Sequence, residues 1–113
     1  MMKRGITLLG GLLLAAMALP AAAVELGDAE RGAELAGTCQ ACHGPTGNAD
    51  NPAFPRLAGQ HADYLAAALR QYQNGERSNA IMQGIVSGLS KQDMRDLAAY
   101  FSGQQGDLYT PER

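Results

Sequence analysis

Cys39-Gln40-Ala41-Cys42-His43 contains the only two cysteines of a 113-residue chain and one of its two histidines. Residues three and four apart share one face of a helix, so on a helical turn Cys39, Cys42 and His43 point to the same side. Cys-x-x-Cys-His is the spacing by which a c-type haem is attached. Two thiols so placed form thioethers to the vinyl edges of one porphyrin, and the adjoining imidazole lies below the iron as its proximal ligand. Cofactor and fold are then one question, because the rest of the chain must wrap the plate that these residues hold.

Other uses of the pentapeptide fit less well. A dithiol redox site normally sits beside a βαβ pattern, and no stretch of this chain reads as strand. A structural zinc site needs four ligands; Cys39, Cys42 and His43 make three, with only the distant His61 to add. A disulfide between cysteines three apart closes too small a loop to restrain much chain.

Lys3 and Arg4, an apolar run from Ile6 to Leu19, then Pro20 and Ala21-Ala22-Ala23 follow the order of a secretory signal cleaved after Ala23. The run is short for a membrane span, which needs about 20 residues; an uncleaved anchor over Gly5 to Val24 is the alternative. Export suits the cysteines, since free thiols do not persist outside the cytoplasm, and places the protein in the periplasm. Residues 24–113 then form one domain of about ninety residues, with a core near 28–103 and a short polar tail at 104–113. So small a domain has a thin apolar core and profits from a covalent cofactor as part of it. Loss of Lys3 and Arg4 leaves seven basic against eleven acidic side chains, a net charge of about −4, which argues against nucleic acid as a partner.

Read in order, the chain is all-α. Gly27-Asp28 opens a helix with Asp28 as N-cap and Glu30 in the first turn, running through Ala29, Ala33, Leu35 and Ala36 towards the cysteine motif. Gly32 inside it costs up to about 1 kcal/mol relative to alanine, either because another helix comes close or by simple tolerance. Gly44 to Gly59 is a long loop punctuated by Pro45, Gly47, Asn48, Asn51, Pro52 and Pro55, with Phe54 and Leu57 folding back onto the ring. His61 to Asn74 is a helix whose apolar face is Tyr64, Leu65, Ala68, Leu69 and Tyr72, stopped by Gly75. Ala80 to Val86 is a short helical turn. Ser90-Lys91-Gln92-Asp93 is a capping box for a last helix with the stripe Met94, Leu97, Ala98 and Phe101, ended by Gly103. The tail is pinned by little more than Leu108 and Tyr109.

An iron held by His43 alone is open to small molecules, and three side chains are candidates for its other face. Met94 lies on an apolar stripe, where methionine usually fills core. His61 starts a helix beside Asp63 and reads as exposed. Met82 falls between two helices, flanked by Asn79 and Gly84, far enough downstream for the chain to return to the opposite face. A thioether there raises the potential relative to a second imidazole and suits electron transfer rather than substrate binding.

Pro55-Arg56-Leu57-Ala58-Gly59-Gln60, Tyr64-Leu65, Gly75-Glu76-Arg77, Met82, Leu89-Ser90 and Leu97-Ala98-Ala99-Tyr100-Phe101 accompany the motif. Together they resemble the class I cytochromes c, in particular the small bacterial periplasmic monohaem type. The resemblance runs from about Asp28 to Ser102. It implies a cytochrome c-like fold of three to five helices around one covalently attached haem c, the first and last helices crossing near Gly32 and Leu97/Tyr100. It places the distal ligand at Met82 and has the Pro55 carbonyl orient His43 from outside the coordination sphere. No lysine ring surrounds the haem edge, since Lys91 is the only lysine after processing. Tyr64 and Tyr72 read first as core packing, the alternative being a hydrogen bond to a propionate or a position leaning towards Met82; Arg56, Arg70 and Arg77 read as solvated surface, with pairing to propionates the alternative.

The function so implied is that of a soluble exported carrier of single electrons, not an enzyme. Its donors and acceptors would be a quinol–cytochrome c reductase, a terminal oxidase or another periplasmic oxidoreductase, with membranes met only through such partners. The alternatives are an electron-transfer subunit held within a larger membrane or periplasmic oxidoreductase, and an open-site haem sensor or peroxidase-like protein. An apolar patch exposed beyond the haem edge would favour the subunit.

Overall fold

The computed structural model describes residues 26–107; the signal segment 1–23 and the tail anchors Leu108 and Tyr109 lie outside them. Among the described residues five helices follow one another: α1 Ala29–Leu35, α2 Gly37–His43, α3 Ala62–Asn74, α4 Ala80–Val86 and α5 Lys91–Ser102. No strand occurs among the described residues. The all-α expectation holds.

Local chemistry sets most of the boundaries. The Asp28 carboxylate accepts from the amides of Glu30 (2.9 Å) and Arg31 (3.1 Å), capping α1. Gly75 ends α3 at φ 83°, a left-handed conformation that side chains disfavour. Asn79 Oδ1 takes the Met82 amide at 3.0 Å and caps α4. Ser90 and Asp93 complete a reciprocal capping box on α5. The helix expected to run unbroken into the cysteine motif is interrupted instead. At Ala36 the amide bonds to Ala33 O, a tightened turn, and Gly37, a weak helix former, restarts the helix as α2.

Packing is dominated by the crossing of α1 over α5. A Cβ on Gly32 would stand 2.0 Å from the Asp96 carbonyl oxygen and 2.8 Å from Tyr100 Cβ, so close approach, not tolerance, is the reason for glycine. The implied crossing point is met, with Asp96 and Tyr100 in contact. The same crossing holds an unexpected buried acid. Asp96 has no solvent exposure; its carboxylate accepts from the Asp28 amide and Gln92 Nε2, each at 2.8 Å, and from Arg31. Burial alone would push this carboxyl up, but the Asp28 amide, Arg31 and Gln92 outweigh it and hold it below the usual carboxylate range.

Ala36, Leu65, Ala66, Leu97, Ala98 and Phe101 form the buried core, with Leu57 and Leu69 packed against it. Loop 44–60 is tied to the core by Gly59 N–H on Phe101 O (3.1 Å) and closed on itself by Leu57 N–H on Gly47 O (2.8 Å). Residues 104–107 fold back over that loop. Asn48 Nδ2 donates to Gln105 O at 2.9 Å, and Arg56 pairs with Asp107, contacts the sequence did not suggest.

Candidate functional site

Cys39, Cys42, His43, Pro55 and Met82 come together as lining of one cavity of about 570 Å³, within the range of cofactor sites. Helix α2 supplies the two cysteines and the histidine, the following loop supplies Pro55, and α4 supplies Met82. Leu65, Ala68 and Leu69 of α3 and Leu97, Ala98 and Phe101 of α5 make the apolar lining. Phe54 and Leu57 fold back as expected, and Phe54 meets the His43 ring edge-on with centroids 6.0 Å apart.

His43 is buried, and its Nδ1 lies 2.8 Å from the Pro55 carbonyl oxygen. A carbonyl only accepts, so Nδ1 carries the proton and Nε2 keeps its lone pair for a metal. The contact fixes the orientation of the ring. Burial pushes the Cys39 thiol up, the opposite of what a redox-exchange or nucleophilic cysteine requires. Cys42 is exposed, and neither sulfur is in a disulfide. Among the described residues no cluster of three or more His, Cys, Asp and Glu is arranged around a metal ion. An apolar slot, two free thiols, one imidazole in a ligating tautomer and one thioether fit a porphyrin iron and no bare cation.

The other candidates for a distal ligand lie elsewhere. Met94 is buried and borders a separate cavity with Leu26, Ala66 and Arg70. His61 is exposed at the start of α3 and does not line the slot.

Two expectations need correction. Tyr64 and Tyr72 are not core residues: Tyr64 is half exposed and both border the slot. Helical spacing put them on the apolar face but not how far round it. Arg77 is not a solvated surface side chain either. Its guanidinium stands 5.6 Å and 5.7 Å from the Tyr64 and Tyr72 ring centroids, and Nε donates to Gln71 Oε1 at 2.7 Å. Tyr64, then Tyr72, raise its already high pKa further. Arg70 is exposed as expected.

These features define an all-α domain built to carry a thioether-linked haem. The chain belongs to the cytochrome c family, whose pattern it matches over residues 29–105. It is 42% identical over 93 residues to cytochrome c4 of Pseudomonas aeruginosa, covering 82% of this chain and 46% of that protein. It is 43% identical over 82 residues to cytochrome c-554(548) of Halomonas halodenitrificans, covering 70% of this chain and 99% of that one. Among solved structures, thiosulfate dehydrogenase from Marichromatium purpuratum superposes with a TM-score of 0.66 at 34% identity, over 83% of this chain and 24% of that chain. The chain thus spans about half of the cytochrome c4 it matches and nearly all of cytochrome c-554(548). Its Cys39, Cys42 and His43 motif carries one covalent haem c, and the chain is an electron-transfer c-type cytochrome domain.

Proposed function

We propose that this domain passes single electrons while docked to a larger exported oxidoreductase, with His43 as proximal and Met82 as distal ligand of the iron. The haem supplies the one-electron couple. The chain does the rest: Pro55 holds the His43 tautomer, Cys39 and Cys42 fix the plate, and the α3 and α5 side chains keep water from its faces. Joint lining of one slot by His43 and Met82 supports the ligand pair over an open-site sensor.

The observation that carries the docked reading is an apolar patch beside the cofactor. On α4, next to Met82, Ile81 is 70% and Ile85 39% exposed at the mouth of the slot. Exposed apolar side chains clustered at a functional mouth mark an interaction surface. That the same fold lies within a thiosulfate dehydrogenase chain agrees with this. A freely diffusing carrier is the second reading, favoured by the match to nearly the full length of cytochrome c-554(548). Either role places the domain in the periplasm, after removal of residues 1–23.

Haem-stained native electrophoresis of a periplasmic extract separates the two readings. A haem band migrating well above the single chain is expected. A band at the size of the chain alone contradicts docking and leaves the free carrier.

A further inference from the structure

Helix α4 carries Met82 yet is held by little. It packs chiefly against α3, and Val86 is its only buried residue. At its C-terminal end the Leu89 amide closes a turn on Val86 O at 3.1 Å and the Ser87 hydroxyl donates to Gly84 O at 2.9 Å, and one side chain of α3 adds the tie to the neighbouring helix. Gln73 Nε2 donates to Val86 O at 2.9 Å and to Leu89 O at 2.8 Å. One amide thus binds both the last residue of α4 and the link to α5.

We infer that Gln73 is a positioning residue that holds α4 against α3 and so determines how firmly Met82 stays on the iron. The inference rests on Met82 being the distal ligand. Gln73 does not line the slot; it acts through α4. A thioether is a weak, replaceable ligand, so its occupancy depends on how often its helix is released. An external ligand binds only the released form, and its apparent affinity scales with that population. Loss of one net hydrogen bond shifts such an equilibrium by about fivefold, and Gln73 makes two.

The test is an imidazole titration of the oxidised holoprotein, followed by loss of the sulfur-to-iron charge-transfer band, in wild type and in Gln73→Leu. About a tenfold to hundredfold tighter apparent imidazole affinity in the variant is expected, with the band present before imidazole is added. Unchanged affinity, even with a lower unfolding midpoint, overturns the inference, because a purely structural residue would behave so. A wild-type protein without the band overturns the ligand assignment itself, and the inference with it. Amide hydrogen exchange on the wild type decides the matter should Gln73→Leu not fold. Release of residues 80–86 as a unit below the free energy that frees α3 supports the inference, and their exchange only with global unfolding overturns it.

Discussion

The amide of Asp28 donates to the carboxylate of Asp96 at 2.8 Å, joining residues 68 positions apart at the entrance of α1. Asp96 is buried and receives two further donors, Arg31 and Gln92. Removing it leaves the Asp28 amide, the Gln92 side-chain amide and one arm of Arg31 without their acceptor. Asp96→Ala is expected to lower unfolding free energy by about 2–4 kcal/mol, measured by denaturant titration of the holoprotein.

The same contact sets an acid limit. Asp93 is held down by the Ser90 amide, Arg31 and the Ser90 hydroxyl, and Asp96 is held down despite burial. Both carboxyls therefore bind protons less readily folded than unfolded. Their contribution is complete above the unfolded value of about 3.9 and is lost as pH falls from there through the folded values. Unfolding midpoints measured from pH 6 downward should decline below about pH 4, and less steeply in Asp96→Asn.

Gly32→Ala sets two effects against each other. Alanine favours the helix by up to about 1 kcal/mol, but its Cβ would lie 2.0 Å from the Asp96 carbonyl oxygen, and backbone must move. Overpacking of this kind costs about 1–3 kcal/mol or more, so net destabilisation is expected. Thermal denaturation checks it, and a raised midpoint would show that the helices are not so close.

Ile81→Ser tests the apolar mouth. The side chain is largely exposed, so the absorption spectrum should stay as it is while the haem-stained complex weakens by about fivefold or more. An unaltered complex would move the docking surface away from α4.

Much of this was legible because it is local. A cap, a capping box and a left-handed glycine are each decided within four residues, and Asp28, Ser90, Asp93 and Gly75 behave as their neighbours dictate. Cys39, Cys42 and His43 announce their chemistry by spacing alone. Other features depend on partners far along the chain. Asp96 is one acid among eleven until α1 lies against it, and the two bonds of Gln73 reach 13 and 16 residues ahead. Tyr64, Tyr72 and Arg77 needed the true rotation of α3, which a stripe of apolar residues defines only coarsely. The break at Ala36 had one sign, the adjoining Gly37, and glycine there also reads as tolerance.

A redox titration of the purified holoprotein, followed optically in wild type and Met82→Ala, tests the central claim most directly. The wild type should give a single one-electron wave and, when oxidised, a sulfur-to-iron charge-transfer band that Met82→Ala lacks. A wild-type protein without that band, or a band that survives Met82→Ala, would contradict an iron held between His43 and Met82.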